Sequence, residues 1–133
     1  MTEAPAPSLF ERVGGEPFFS ALVDAFYDGV ATDEALRPLY PEAGVAPDLP
    51  EARRRLRLFL VQYWGGPTTY SDERGHPRLR MRHFPFAIGA TERDAWFGHM
   101  AAAVEASGVG PPERDELLQY FASAADFLVN QPG

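Results

Sequence analysis

The sequence contains no cysteine, which excludes disulfides, thiolate metal ligands and cysteine nucleophiles. It also lacks any apolar run near the roughly 20 residues that a helix needs to cross a bilayer, so no membrane span is expected. The first residues, MTEAPAP, carry an acid where a secretory signal has basic residues, and no apolar segment follows them. Together these absences favour a cytoplasmic protein.

Basic residues are also scarce, since 12 of them stand against 19 acidic residues and give a net charge of −7. This balance argues against a nucleic-acid partner held by bulk electrostatics. The basic residues are concentrated in two clusters, which are Arg53, Arg54, Arg55 and Arg57, and Arg74, Arg78, Arg80 and Arg82. Local positive potential on an acidic protein favours a small anionic ligand.

The length of 133 residues predicts one domain with its own hydrophobic core. We expect residues 1–7 to form a flexible N-terminal arm and residues 8–131 to form that single domain. Apolar residues recur at helical spacing and predict four long amphipathic helices, at residues 16–31, 51–64, 91–107 and 113–130.

Shorter helices are predicted before Gly14, at residues 33–39 and at residues 78–84, while residues 68–77 are predicted to be a loop. Thr91 resembles an N-cap followed by acids in the first turn. No segment shows the sustained alternation of a strand, so the predicted fold class is all-α.

The segment RLRMRHFPF at positions 78–86 places His83 among arginines and apolar residues just before a proline. In a short helix, one of the last carbonyls, left free by the proline, can accept the Nδ1 proton of His83, so that Nε2 becomes a metal ligand. A lone helical histidine is nevertheless more often a packed or surface residue than a ligand.

The neighbours of His83 favour haem. Met81 and Phe84 can pack against a flat apolar ring, and Arg80 and Arg82 can reach carboxylates at the edge of that ring. These four side chains and the imidazole would together suit an apolar metal-bearing ring with an acidic edge.

Zinc is not indicated by the other two histidines. His76 lies seven residues from His83 across a proline, and His99 belongs to another predicted helix. There is neither a cysteine nor an H-E-x-x-H motif. We expect His76 in a loop and His99 at a partly buried or rim position.

Three polar aromatic residues, Tyr27, Tyr40 and Trp96, are predicted to face inward. Aromatic residues at helical spacing usually belong to the core, but a buried hydroxyl or indole N–H needs a hydrogen-bond acceptor. Three of them imply either internal acceptors or a shared polar ligand, such as dioxygen. No nucleophile with its base, G-x-S-x-G motif or phosphate-binding glycine loop is present.

Five stretches carry a family resemblance, namely FERVGG at 10–15, AFYDGV at 25–30, LYPE at 39–42, RRLRLFLVQYWGGPTTY at 54–70 and GHPRLRMRHFPFAIGATERDAW at 75–96. On these motifs the chain resembles the truncated haemoglobins, and among them the second group, of actinobacterial type. The resemblance covers residues 8–131. It implies a two-over-two helical sandwich in which haem b, iron protoporphyrin IX, lies between two antiparallel helix pairs.

The resemblance also implies a role for individual residues. His83 is then the proximal iron ligand, and Tyr27, Tyr40 and Trp96 form a distal hydrogen-bonding cage. Residues expected to contact the cofactor are Ala52, Arg55, Leu56, Phe59, Leu60, Tyr70, Met81, Arg82, Phe86 and Trp96. Within this set Arg55, Arg82 and Tyr70 are candidates for the propionates, and the small Ala52 implies a short access route for ligands.

The function implied by the resemblance is reversible binding of O2 at five-coordinate iron, for carriage, storage or sensing. Other expected ligands are CO, NO, peroxide and sulfide, and the chain is expected to be a monomer or homodimer. The alternative is a peroxidase-like or nitric-oxide-detoxifying enzyme with a partner reductase, which differs because turnover needs a reductant. A haem-free helical interaction module, which would be colourless, is the third alternative.

Overall fold

The computed structural model describes residues 7–83 and 85–131, with every side chain in these ranges except that of Arg80. Phe84, the side chain of Arg80 and residues 1–6 of the expected arm therefore lie outside the described residues. The described part is helical and without strands. Its α-helices are α1 (Leu9–Arg12), α2 (Glu16–Val30), α3 (Pro50–Tyr63), α4 (Thr69–Arg74), α5 (Leu79–His83), α6 (Ala90–Ala106) and α7 (Pro111–Leu128).

Two short 3-10 helices, Arg37–Leu39 and Pro41–Gly44, connect α2 to α3. Helix α2 packs against α3 and α6, and α6 packs against α7. The shared core contains the fully buried side chains of Phe19, Phe26, Met100, Leu117 and Phe121. Among the described helices, none has the length and apolarity that a membrane crossing would require.

The start of α3 depends on a carboxylate from the preceding 3-10 helix. Glu42 accepts hydrogen bonds from the backbone N–H groups of Glu51, at 2.7 Å, and Ala52, at 3.1 Å. These groups have no partner inside the helix, and a negative charge at a helix N-terminus is favourable. Glu42 therefore fixes the end of α3 that carries Ala52 and Leu56.

The predicted loop at residues 68–77 is wrong, because it contains α4. The side chain of Gln62 donates to Ser71 Oγ at 2.6 Å and accepts from the Ser71 backbone N–H at 2.9 Å. Tyr70 is buried at the same time. A helix of this length is not stable alone, so tertiary contacts create it.

Several predicted helix boundaries also shift. The helix predicted at 33–39 is reduced to the 3-10 turn Arg37–Leu39, and α7 begins at Pro111. Helix α6 begins at Ala90, and Glu92 accepts from the backbone N–H of Gly89 at 2.8 Å, so Thr91 is not the N-cap. The four predicted long helices are otherwise confirmed as α2, α3, α6 and α7.

Candidate functional site

A cavity of about 590 Å³ lies between α2, the 3-10 segment and helices α3 to α7. Its size is in the range of small-molecule and cofactor sites. Apolar side chains such as Leu36, Leu56 and Phe59 form much of its wall. The residues predicted from the sequence that line it are Tyr27, Tyr40, Ala52, Arg55, Leu56, Phe59, Leu60, Tyr70, Arg82, His83, Phe86 and Trp96.

Met81 is the exception among the predicted cofactor contacts. Its side chain is 60% exposed, and it is not part of the cavity wall. Leu79 and His83 are four residues apart and share the face of α5 that borders the cavity. Met81 lies midway between them and therefore points away from that face. The expectation that Met81 packs against the cofactor is therefore not supported.

His83 presents one defined nitrogen to a ligand. Its Nδ1 lies 2.6 Å from the carbonyl oxygen of Leu79, one turn earlier in α5. Because a carbonyl can only accept, Nδ1 carries the proton and Nε2 of the neutral ring keeps its lone pair. The acceptor is thus the first carbonyl of α5. The sequence had suggested one of the last carbonyls of the helix, left free by Pro85.

Asn130, close to the C-terminal end of the described chain, holds the segment that follows His83. Its Nδ2 donates to the carbonyls of Phe86, at 2.7 Å, and His83, at 3.3 Å, and its Oδ1 accepts from Ile88 N–H at 2.9 Å. Sequence reasoning missed this role. An asparagine after a helix usually indicates a C-cap, and nothing in the spacing indicates partners more than 40 residues away.

The predicted distal residues come from three separate elements. Tyr27 belongs to α2, Trp96 to α6, and Tyr40 lies between the two 3-10 helices. The rings of Tyr27 and Tyr40 meet edge to face with centres 5.7 Å apart, and Tyr27 is 5% exposed. Tyr27 and Trp96 are 13 and 56 positions away from Tyr40 in the sequence, and the fold brings all three to the same cavity.

Burial determines the protonation of these tyrosines. It raises the pKa of Tyr27 well above the usual value of 10.0, and the neighbouring Tyr40 raises that pKa further. Burial also raises the pKa of Tyr40, although the Tyr27 hydroxyl, the charge of Arg55 and the Trp96 indole act in the opposite direction. Both hydroxyls therefore keep their protons at neutral pH and are able to donate hydrogen bonds.

Positive charge lines another part of the cavity. Arg55 donates to the carbonyl of Glu51 at 3.3 Å, Arg82 donates to that of Pro77 at 2.7 Å, and Arg74 lies 6.0 Å from the ring centre of Tyr70. Among the described residues, none of the three has a carboxylate within ion-pair distance. By contrast Arg54, on the same helix as Arg55, pairs with Glu73 at 2.6 Å. Uncompensated guanidinium groups at an apolar cavity suit a ligand with an anionic edge.

The other histidines lie outside this cavity. His76 is exposed in a loop and accepts a hydrogen bond from the backbone N–H of Arg78 at 3.0 Å. His99 is partly buried, with its Nε2 2.7 Å from Asp33 Oδ2. Within residues 7–83 and 85–131, no group of three His, Cys, Asp or Glu side chains is arranged to hold a metal ion. Among the described residues, His83 is the one histidine that lines the cavity, so a metal held there by imidazole would have a single such ligand, as a haem iron can.

The cavity is apolar, with one available imidazole nitrogen, protonated donors and guanidinium groups that have no carboxylate partner among the described residues, and this combination fits haem. An all-helical protein with such a site is of the globin class. The sequence profile of the bacterial-like globins matches residues 8–130. The chain therefore belongs to the bacterial-like globin family, and within it to the group II truncated haemoglobins. Family membership implies that the chain binds haem, with O2 and small gas molecules as ligands.

Several relatives support this assignment. A group 2 truncated haemoglobin of Bacillus subtilis is 41% identical over 117 residues, which are 88% of this chain and 85% of the relative. The crystal structure of a thermostable haemoglobin from Thermobifida fusca is 54% identical, covers 95% of this chain and 99% of its own, and has a TM-score of 0.89. A haemoglobin from Chloroflexus aurantiacus is 49% identical, covers 95% and 100%, and has a TM-score of 0.88. The predicted truncated globin fold is confirmed.

Proposed function

We propose that this protein binds O2 and other small ligands reversibly at the iron of haem b, with His83 as the proximal ligand and Tyr27, Tyr40 and Trp96 as distal donors. The observation that carries the proposal is that one cavity is bordered by all four side chains. When bound, the haem supplies an iron coordination position at which a diatomic ligand can be held.

The proximal residues would fix the orientation of the imidazole. The Leu79 carbonyl holds the Nδ1 proton of His83, which leaves Nε2 for the iron and raises the basicity of the ring. Asn130 in turn holds the carbonyls of His83 and Phe86. The C-terminal end of the proximal helix is thus anchored by Asn130, and the imidazole orientation is fixed within the helix.

The other cavity residues would hold the cofactor and keep water out. Leu56, Phe59, Leu60 and Phe86 supply apolar surface. The guanidinium groups of Arg55 and Arg82, with the hydroxyl of Tyr70, are suited to the propionates. Ala52, at the start of α3, is small enough to leave a short access route for ligands.

The distal cage would slow the release of O2, which carries partial negative charge when bound. A net hydrogen bond contributes about 0.5 to 1.5 kcal/mol, so two or three donors slow release roughly 10 to 1000-fold. A truncated haemoglobin of Bacillus subtilis, 39% identical to this chain, is described as oxygen-avid. Slow release of O2 favours storage or sensing over bulk oxygen delivery. We place the protein in the cytoplasm, as a monomer or homodimer.

A second candidate function is that of an enzyme, peroxidase-like or nitric-oxide-detoxifying, served by a partner reductase. The observation that favours it is the number of oxidisable rings at the cavity, namely Tyr27, Tyr40, Tyr70, Trp96 and Tyr120. Such rings can supply electrons and protons to haem chemistry. Turnover that depends on a reductant separates this candidate from simple binding.

The proposal is tested by stopped-flow measurement of O2 dissociation from the ferrous holoprotein. Tyr40→Phe and Trp96→Phe are each expected to raise the dissociation rate by roughly 2 to 10-fold, because each removes one donor. Tyr63→Phe is the matched control, since Tyr63 does not line the cavity, and its rate should equal that of the wild type. Unchanged rates in both distal variants would contradict the cage.

A further inference from the structure

Arg53, near the start of α3, ties this helix to α2 at the level of Tyr27. Its side chain is 19% exposed. Its Nη1 donates to Oδ1 of Asp24 at 3.2 Å and to the Asp24 carbonyl at 3.1 Å, and its Nη2 donates to Oδ1 of Asp28 at 3.0 Å. Asp24 and Asp28 are one helical turn apart on α2, with Tyr27 between them in the sequence. The guanidinium group therefore spans the turn of α2 that carries Tyr27.

A third contact fixes the same guanidinium group to the chain that precedes α3. Its Nε donates to the carbonyl of Asp48 at 2.6 Å, and its Cζ lies 6.0 Å from the ring centre of Tyr27. All three guanidinium nitrogens thus have acceptors, and the planar fork fixes their directions. The position of Arg53 is therefore set by α2 and by the segment before α3 as well as by α3 itself.

The cavity meets this arrangement only through its neighbours. Arg53 does not line the cavity, whereas Ala52, the preceding residue on α3, and Tyr27 on α2 both do. The separation of α2 and α3 at this level determines how far the Tyr27 side chain stands from the α3 wall. A contact that fixes this separation can therefore act on a bound ligand without touching it.

The charge of Arg53 also reaches the Tyr27 hydroxyl. Burial, followed by the neighbouring Tyr40, raises the pKa of Tyr27. The charges of Arg55 and Arg53 act in the opposite direction. A cation near a phenol favours negative charge on its oxygen, so the hydroxyl becomes a stronger hydrogen-bond donor. Loss of the Arg53 charge would weaken this donor even if the ring did not move.

We propose that Arg53 is a positioning residue for the distal donor Tyr27, which it holds from outside the cavity by tying α2 to α3, and that it thereby slows the release of O2. The proposal rests on the proposed function, in which Tyr27 donates to the bound ligand. It adds a residue that controls this donor and makes no contact with the ligand.

Arg57 provides a matched control, because it also joins α3 to α2. Its Nε lies 3.7 Å from Oε1 of Glu16, the first residue of α2. Glu16 is 11 positions before Tyr27, which is roughly 16 Å along the helix axis. This ion pair holds the same two helices together but does not act on the turn that carries Tyr27.

Stopped-flow measurement of O2 dissociation from the ferrous holoprotein tests the proposal. Arg53→Met keeps the length of the side chain and removes its donors and its charge. It should raise the dissociation rate by roughly 2 to 10-fold, and no more than Tyr27→Phe does. Arg53→Lys keeps the charge without the fork and should give an intermediate rate. Arg57→Met should release O2 at the wild-type rate, and a wild-type rate in Arg53→Met would overturn the proposal.

A second variant breaks the same contact from the side of α2. Asp24→Ala combined with Asp28→Ala removes two carboxylates whose side chains are 63% and 73% exposed, so the fold should tolerate it. The rate of O2 release in this variant should lie between those of Arg57→Met and Arg53→Met. A rate equal to that of Arg57→Met would contradict the role of the contact with α2.

The C–O stretching frequency of the CO-bound holoprotein separates positioning of the donor from general loosening of the fold. A hydrogen-bond donor beside the CO oxygen lowers this frequency, so the frequency should rise in Arg53→Met as it does in Tyr27→Phe. It should keep the wild-type value in Arg57→Met, even where urea unfolding shows equal losses of stability in the two arginine variants. Equal frequencies in Arg53→Met and Arg57→Met would mean that Arg53 has only a structural role.

The double variant shows whether Arg53 acts through Tyr27. In Tyr27→Phe combined with Arg53→Met, the second substitution should add no further increase in O2 release, and additive effects would refute the proposal. If Tyr27→Phe releases O2 at the wild-type rate, the donor assigned in the proposed function fails and the role of Arg53 fails with it. If Tyr27→Phe raises the rate and Arg53→Met does not, the donor stands and the assignment of Arg53 is wrong.

Discussion

Nε2 of His99 lies 2.7 Å from Oδ2 of Asp33, and this contact joins α6 to the segment that follows α2. His99 is one helical turn after Trp96, and the segment that begins at Asp33 leads to Tyr40. The pair thus connects the elements that carry two of the proposed distal donors. Gly29 makes room for this pair, since a Cβ at that position would collide with the His99 ring.

The first prediction concerns this close approach. Gly29→Ala should destabilise the fold by about 1 to 3 kcal/mol, because the methyl group displaces the His99 ring. Gly98→Ala is the matched control, as a Cβ at that helical position meets nothing within 4 Å. The control should stabilise by about 0.4 to 1 kcal/mol. Urea unfolding measures both, and similar effects of the two substitutions would refute the steric account.

The second prediction concerns acid stability. The hydrogen bond from His99, followed by that from the Ala35 N–H, lowers the pKa of Asp33 below its usual 3.8. A carboxyl with a lowered pKa in the folded state contributes stability above the unfolded value, and this contribution is lost as the pH falls through the folded value. Asp33→Asn should therefore be less stable than wild type at neutral pH, and the difference should shrink below about pH 4. A difference that stays constant from neutral to acid pH would count against the pair.

Long periodic elements were predictable from the sequence because their signal is local. Helices α2, α3, α6 and α7 follow from apolar residues repeated over three or more turns, and the inward direction of Tyr27 follows from its place in α2. The position of His83 at the cavity was predictable from its neighbours and from the family motif. Helix α4 was not predictable from the sequence, because so short a helix depends on the contact between Gln62 and Ser71.

Residues whose partners lie far away in the sequence could not be predicted either, because their contacts also depend on tertiary packing. Glu42 caps a helix that begins eight positions later, and Asn130 bonds the carbonyl of His83, 47 positions earlier. Such partners are fixed by how helices pack, and no periodicity in one segment encodes them. The exposed position of Met81 was not predictable for a different reason, because α5 is too short for the face that borders the cavity to be inferred from its sequence pattern.

The third prediction concerns Asn130. Asn130→Ala removes hydrogen bonds to His83, Phe86 and Ile88, and should destabilise the holoprotein by about 1 to 3 kcal/mol. It should also speed the transfer of haem to an apoprotein acceptor, since the proximal segment loses an anchor. The exposed Gln119 on α7 provides a control, and Gln119→Ala should change stability by no more than about 0.5 kcal/mol. Equal haem transfer in both variants would argue against the anchor.

The fourth prediction concerns pH. Since burial raises the pKa values of Tyr27 and Tyr40, both hydroxyls remain protonated donors well into the alkaline range. The O2 dissociation rate should therefore change by less than about twofold between roughly pH 6 and pH 9. Stopped-flow measurements across this range give the answer. A steep rise in the rate as the pH approaches 9 would mean that a donor with an ordinary or lowered pKa holds the ligand.

The central claim is that Nε2 of His83 holds the haem iron, and replacing this side chain while offering free imidazole tests it most directly. His83→Gly opens a space at the site of the ring, and His76→Gly provides the control at an exposed histidine. In absorption spectra, His83→Gly should lose the wild-type Soret band, added imidazole should restore it, and His76→Gly should keep it throughout. A wild-type Soret band in His83→Gly without imidazole would contradict the assignment of His83 as the iron ligand.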